Sequence, residues 1–380
     1  MKKLKKNPAE SYLRKSHQIK SIRNYWVFPA LSLLSLYAIL FYRDFPSVLF
    51  GLFVCMRVIF TRQRVIIGYS FFVVLLGAAL FVWQGKDLLI SIQQANSVHE
   101  TRVEVNPNIC QINGQFLRFT GQDLQTSELK LYDYLLESQE EKEWWQSQSK
   151  HVILAVTGTE ELPDTVRNLN GFDQRKYLAE KNIYKIVKVE SMKVIEEIIP
   201  RHPVKMLEFF RRKFALYTTQ TFPKFISLYI KSLFLGIKDT GFRQEKVVFE
   251  DLGMLYFFSI SGMHIFSFVT VFRYIFRRFD VTLETIFWLE LLFLFFIYIF
   301  AGRSISVLRA VLAIAIQRSS QRFRWHLSAL DVWSLTLLAT LCFSPSAVFS
   351  IGDNFPLVCL CVLFTFSLIL NYFQFYGSRS

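Results

Sequence analysis

The chain has 380 residues, of which 52% are hydrophobic, and 40 phenylalanines. This apolar share exceeds that of an ordinary soluble domain and lies in blocks, so it indicates a membrane protein. The net charge of +14 is unevenly spread, because residues 84–199 hold 13 Lys and Arg against 18 Asp and Glu. The other residues hold 31 against 12, so the basic charge belongs to the membrane-proximal parts.

The first 83 residues predict a basic tail followed by three membrane spans. Residues 1–25 are rich in lysine and arginine, which predicts a cytoplasmic N-terminus. Residues 26–83 contain three apolar runs: Trp26–Tyr42, Ser47–Phe60 and Val65–Trp83. Basic residues between the second and third runs predict a cytoplasmic connection, so the chain after Trp83 is expected outside the membrane.

Residues 84–199 are polar and predict a small extracytoplasmic β-barrel, for which an oligonucleotide-binding-like (OB-like) barrel is one candidate. Strand-like runs occur at Val98–Val105, Gln115–Phe119, His151–Val156 and Ile183–Glu190, with turn signals at Asn113-Gly114 and Thr157-Gly158. Between them, Ser127–Gln148 has a roughly helical period, with Ser127 as its N-cap. Certain aromatic residues either stack on single-stranded bases or fill the barrel core: Phe116, Phe119, Trp144, Trp145, Phe172 and Tyr177.

Residues 200–250 predict basic amphipathic helices at the membrane surface. Their apolar stretches alternate with cations, which suits helices that lie on the headgroups with snorkelling lysines. A basic funnel for nucleic acid predicts the same residues, because anionic lipid and phosphate attract the same cations. The two interpretations share one set of candidates: Arg201, Lys205, Arg211, Arg212, Lys213, Lys224 and Lys231.

Residues 251–380 predict a bundle of membrane spans organised around Asp251–Phe276. Within it, Leu252–Phe272 is 21 residues long without a formal charge, which is enough for a helix to cross the hydrocarbon. Polar or helix-weakening residues lie at its middle, where polar groups are costly. These residues are Ser259, Ser261, Gly262 and His264. Either they are packing residues whose polar groups are hydrogen-bonded, or they line a broken helix or a pore.

The remaining apolar runs bring the predicted total to about eight spans. They are Ile286–Ala301, a span around Ala310–Ile316, Leu327–Phe343 and Phe355–Leu370. Arg303, Ser304, Arg309 and Asp331 are further candidates for a polar path. An arginine at membrane depth costs at least about 2.5–3.5 kcal/mol unless it is paired or hydrated. Arg309 is therefore paired with Glu290 or Asp331, or it offers a fixed cation to passing phosphates.

Three short motifs resemble the ComEC-type competence family. The first is Asp239-Thr240-Gly241-Phe242 with Phe249, Gly253 and Ile260-Ser261-Gly262-Met263-His264, which is similar to the family's Ile-Ser-Gly-Leu/Met-His hallmark. The second is the Gly171-Phe172-Asp173 element with Tyr177-Leu178 and Ile183, and the third is Ser306–Ala310. Residues Gly352–Leu357 depart from the family's Gly-Phe-Gln-Leu-Ser-Phe-like run, which weakens any assignment for the last helix pair.

This resemblance implies a polytopic protein that carries one strand of transforming DNA across the bacterial cytoplasmic membrane, with no cofactor and no enzymatic activity. The expected partners are single-stranded DNA, anionic membrane lipids, a DNA receptor and a cytoplasmic motor, and a homo-oligomer stays open. Many relatives continue into a C-terminal metallo-hydrolase-like domain. The chain is therefore expected to be a short form or a fragment.

Two other functions stay open. Ser261 and His264 are one helical turn apart, which permits the serine–histidine pair of an intramembrane hydrolase. The other is a non-catalytic membrane scaffold or an inactive truncated chain. The six histidines are scattered and the five cysteines lack zinc-ligand spacing, so no metal site is expected. No phosphate-binding loop sequence occurs, so the energy must come from a partner motor or from capture of the strand on the inside.

Overall fold

A computed structural model describes residues 25–42, 45–61, 63–93, 97–164, 174–181, 183–237, 260, 262–345 and 347–348. The chain divides into two compact units, one formed by Met1–Gln84 with Leu312–Ser380 and one by Gly85–Val311. Predictions for the basic N-terminal tail, Phe172, Ser259, Ser261 and Phe355–Leu370 lie outside the described residues.

The first unit is helical, with α1 (Val27–Tyr42), α2 (Phe45–Phe60) and the start of α3 (Arg64–Gln93). Its last described helix is α11 (Ala329–Phe343), which packs on α1. The core of this unit combines residues of α1 and α2 with residues of α11, and it contains Ala30, Leu33, Leu34, Tyr37, Phe50, Leu337 and Leu341. Within it, the Tyr37 hydroxyl donates to the Gly77 carbonyl over 3.2 Å.

Two described helices are long and apolar enough to cross a membrane, Arg64–Val82 and Leu283–Phe300. Three shorter apolar helices have 15 or 16 residues: Val27–Tyr42, Phe45–Phe60 and Ala329–Phe343. All five coincide with predicted spans, although α3 continues to Gln93, beyond the predicted end at Trp83. The total of about eight spans stays a prediction.

The second unit contains a closed barrel. Its strands are β1 (Ser97–Val105), β2 (Gln111–Asn113), β3 (Phe116–Asp123), β4 (Leu129–Leu135), β5 (His151–Glu161) and β6 (Ile186–Ile198). The ring closes in the order β1-β5-β6-β4-β3-β1, and β2 forms a hairpin with β3. Only the β4–β6 pair among these is parallel. The predicted small barrel is confirmed, and its five-stranded closure fits the OB-like expectation.

The prediction of one helix over Ser127–Gln148 is wrong. Leu129–Leu135 forms β4, and only Gln139–Ser147 forms a helix, α4, which Ser138 caps by accepting from the Glu141 amide. The strand pairs with β3 and β6 and buries Leu131, Tyr132 and Tyr134. The buried Lys130 is compensated by ion pairs with Asp123 and Glu160, at 3.1 and 2.8 Å. The predicted Thr157-Gly158 turn is also wrong, since both residues lie within β5 at a bulge.

The other described helices of the second unit come after β5 in the sequence. A short helix, α5 (Gln174–Glu180), precedes β6, and the basic region then forms α6 (Pro203–Thr221) and α7 (Lys224–Leu235). The last three begin in this unit: α8 (Gly262–Arg278), α9 (Leu283–Phe300) and α10 (Ile305–Phe323). Ile260 is not helical and α8 begins at Gly262, which agrees with the broken-helix alternative for Leu252–Phe272, although residues 252–259 and 261 lie outside the described residues. Glycine and serine are weak helix formers, which favours the break.

Candidate functional site

A polar junction connects the barrel, the basic helix α6 and the loop between α9 and α10. We define it as Glu208, Arg211, Arg303, Gly302 and the main-chain carbonyl of Leu235. Glu208 and Arg211 are one turn apart on α6, and both are buried. Leu235 is the last residue of α7, and Gly302 and Arg303 lie between α9 and α10.

Glu208 is the hub of this junction. Its Oε1 lies 2.5 Å from Nη2 of Arg303, and its Oε2 accepts from Asn106 Nδ2 over 2.7 Å. Its main-chain oxygen accepts from Asn108 Nδ2, also over 2.7 Å. One carboxylate therefore binds a residue of the barrel unit and a residue of the loop between α9 and α10, which fixes both to α6.

Arg211 supplies the buried cation of the junction. Its side chain is only 8% exposed, and both Nε and Nη2 donate to the Leu235 carbonyl, over 3.1 and 2.6 Å. That carbonyl belongs to the last turn of α7, where main-chain oxygens have no helical partner. These two hydrogen bonds therefore stabilise the end of α7 and hold it against α6.

The loop after α9 passes close to the Arg211 guanidinium. Gly302 has φ +84°, and a Cβ atom placed on it would lie 2.7 Å from Arg211 Nη2. The next residue, Arg303, also has a positive φ of 55°. Only glycine adopts such a backbone without strain while leaving room for the guanidinium.

The predicted path residues Gly262 and Arg309 lie where α8 approaches α10. A Cβ atom on Gly262 would lie 3.5 Å from the Cβ of Ala310, so the first residue of α8 is within van der Waals distance of α10. Arg309 is half-buried, and it has no hydrogen bond or ion pair with the described residues of its own unit. Its predicted pairing with Glu290 is wrong, because Glu290 lies 3.4 Å from Arg273 Nη1.

The other predicted path residues are dispersed. His264 is half-buried on α8, and the Ser304 hydroxyl accepts from the Val307 amide over 3.4 Å at the start of α10. Asp331 belongs to the other unit, where it forms a reciprocal capping box with Ser328 at the start of α11. The structure thus pairs Arg303 with Glu208, but it places Asp331 in a helix cap.

Several of the basic candidates contact the barrel. Lys205 Nζ donates to both carboxylate oxygens of Glu104 over 2.7 Å. Arg212 donates to the main-chain oxygens of Gln146 and Gln148, at the C-terminus of α4, over 3.0 and 3.1 Å. Lys231 donates to Thr219. Three others are exposed: Arg201, Lys213 and Lys224.

The aromatic candidates divide between core and surface. Phe119 and Trp145 are fully buried, with ring centroids 6.0 Å apart, so these two are core residues and not a stacking platform. Phe116 is exposed, and Trp144 makes an edge contact with Trp145. Tyr177 is exposed, and its hydroxyl accepts from Lys181 over 2.7 Å.

Sequence reasoning missed Glu208, Asn106 and Asn108. The available signal was the position of Glu208, which is the sole acidic residue between Arg201 and Ile237. A carboxylate among so many cations is typical of an internal ion pair. Among the described residues, no group of three His, Cys, Asp or Glu side chains could hold a metal ion.

The docking of α6 on the barrel also gives a pH prediction. The hydrogen bond from His151, at 3.0 Å, and the Lys205 contacts lower the pKa of Glu104 from 4.5 to about 2. Because the folded pKa lies below the unfolded one, this stabilisation is complete above pH 4.5 and disappears as the pH falls towards 2. We therefore expect Glu104→Gln to flatten the fall in stability over that window. Denaturant unfolding in micelles at each pH measures it, with exposed Glu190→Gln as the control. An unchanged slope in Glu104→Gln contradicts the prediction.

Comparison with known proteins adds the remaining observations. Residues 233–379 match the model of a family described as Competence protein. The chain is 25% identical over 330 residues to the ComE operon protein 3 of Bacillus subtilis (strain 168). That alignment covers 86% of this chain and 41% of the relative, so the chain spans less than half of the relative's length. No solved structure matches. The resemblance to competence proteins is confirmed.

Proposed function

Residues 233–379 match the competence protein family, and from that premise we propose that the chain moves single-stranded DNA across the bacterial cytoplasmic membrane during natural transformation. The N-terminus is cytoplasmic in this proposal, and residues 84–199 lie outside. A DNA receptor and a cytoplasmic motor are the proposed partners, since the sequence contains no phosphate-binding loop motif. The chain is not an enzyme in this proposal.

The observation that carries the proposal is the half-buried Arg309 beside the Gly262–Ala310 contact, inside the matched region. A cation in an apolar helix costs at least about 2.5–3.5 kcal/mol unless it is paired or hydrated. A hydrated polar path offsets this cost, and it lets Arg309 attract the phosphates of passing DNA. Packing against apolar side chains does not offset the cost.

The test compares the same substitution at two glycines. Gly262 lies 3.5 Å from Ala310, measured from its ideal Cβ, whereas Gly68 on α3 has nothing within 4 Å. We expect Gly262→Leu to abolish DNA uptake, because the longer side chain must separate α8 from α10. Gly68→Leu is expected to leave uptake unchanged. Gly262→Ala adds one methyl at an ordinary contact distance, so uptake should be largely retained.

The measurement is entry of labelled DNA into a nuclease-protected compartment, in competent cells whose sole copy is this chain and whose membrane levels are matched. Equal uptake by the two leucine variants contradicts a role for the α8–α10 contact. No uptake by the unaltered chain, with normal DNA binding at the cell surface, overturns the proposal in favour of a scaffold or an inactive truncated chain. The hydrolase alternative requires Ser261→Ala to abolish activity, a result that a transport path does not predict.

A further inference from the structure

The hairpin α6–α7 has its polar and apolar sides reversed relative to a helix of a soluble protein. Its buried positions are largely polar: Glu208, Arg211, Thr218, Ser227 and Ser232. Its exposed positions include Lys213, Thr219, Gln220 and Lys224, but also a set of large apolar residues, which are Met206, Phe210, Phe214 and Tyr217 on α6, and Phe225 and Ile226 on α7. In water such a stripe of exposed aromatic side chains is unfavourable, and a contiguous patch of this kind marks an interaction surface.

We infer that this apolar stripe lies among lipid acyl chains, so that α6–α7 is a wedge inserted into one leaflet and not a helix pair resting on the headgroups. Its polar side then faces the interior of the unit. Because acyl chains offer no hydrogen bonds, the polar groups there depend on protein partners. Glu208, Arg211, Thr218 and Ser232 have such partners, whereas the Ser227 hydroxyl has none among the described residues.

The contacts of the hairpin support a lipid occupant. The Phe214 ring lies 6.2 Å from the ring of Phe300, the last residue of α9. The α9 helix is one of the two described helices long and apolar enough to span, and only 28% of it is buried within the structure. The stripe therefore continues the exposed apolar surface at the end of a span, which is the depth of a leaflet boundary.

The charges around the stripe also support a lipid occupant. None of its six residues is charged, so it lacks the cations that a DNA backbone needs. Exposed Lys213 and Lys224 lie close to it in sequence, and lysines there can reach the headgroups. Lys205 and Arg212 point instead to the barrel.

Hydroxyl-radical footprinting of the unaltered chain in lipid nanodiscs tests the inference, because it compares two tyrosines of similar exposure. Tyr217 on the stripe is 55% exposed, and Tyr177 on α5 is 43% exposed. If acyl chains cover the stripe, oxidation of Tyr217 is expected to be several-fold slower than that of Tyr177, with Phe210 also protected. Equal or faster oxidation of Tyr217 means that the stripe faces water and overturns the inference.

Footprinting under two further conditions identifies other occupants of the stripe. Protection of Tyr217 that appears only after a single-stranded oligonucleotide is added indicates DNA, and protection confined to nanodiscs with two copies indicates a second chain. Either result overturns the lipid assignment. The inference requires only that the chain lies in a membrane, so it survives if DNA uptake fails, and uptake can persist if Tyr217 proves accessible to water.

Discussion

Replacing Glu208 by alanine is expected to lower the free energy of unfolding by about 1–3 kcal/mol, the usual cost of leaving buried polar groups without their hydrogen-bond acceptor. The loss arises because Arg211 stays buried without a nearby carboxylate, while Arg303 and Asn106 lose their acceptor. Denaturant unfolding of the whole chain in mixed micelles measures it. We expect the mutation to loosen the barrel and the α9–α10 loop together, since both bind Glu208.

The controls for this prediction separate charge from shape. Glu208→Gln keeps the side-chain length and still accepts from Asn106, but it cannot neutralise the arginines, so a large part of the loss should remain. Glu190→Ala removes an exposed carboxylate of β6 and is expected to change stability little. A Glu208→Ala loss no larger than that of Glu190→Ala contradicts the role of Glu208 as the hub.

Replacing Gly158 by alanine is expected to destabilise the barrel by about 3 kcal/mol or more, at the upper end of overpacking effects. A Cβ atom at this position would lie 2.1 Å from the main-chain oxygen of Lys188 on β6. A flexible side chain could move aside, but a strand backbone cannot move without breaking its ladder. We therefore expect the β5–β6 pairing to open at the bulge.

Protection of barrel amides from hydrogen exchange measures this opening. Amides of β5 and β6 near Gly158 should exchange faster in the Gly158→Ala variant, whereas those of α1 and α2 in the other unit should keep their wild-type rates. Thr159→Ala, at an exposed position of the same strand, is the matched control, because it removes atoms and adds none. Similar exchange in the two variants contradicts the steric argument.

Part of the fold could be predicted from the sequence because it depends on local pattern. The alternating runs that became β1, β3, β5 and β6 face a core on one side, and such alternation is visible in one dimension. The β4 strand is different, since it buries Lys130 and has apolar residues on both sides. That pattern resembles a helical period, and the ion pairs that make the lysine acceptable come from β3 and β5.

The candidate site was less predictable for the same reason. Arg303 was identified from its place beside a span, but its partner Glu208 lies far away in sequence. The sequence suggested Glu290 for Arg309 because both lie in apolar runs, yet Arg273 of α8 is the cation near Glu290. Residue types at membrane depth can thus indicate which positions matter, whereas partner choice depends on how the helices pack.

The packing of α11 on α1 constrains the order in which the chain assembles. Leu337 and Leu341 complete the core around Ala30 and Leu33, and the Tyr42 hydroxyl donates to the carbonyl of Val348, 306 residues later. During translation, α1 and α2 therefore remain without α11 until the barrel and α6–α10 have been synthesised. During that interval their uncovered face is open to chaperones and to wrong helix partners. The speed at which the chain is translated should then affect its yield.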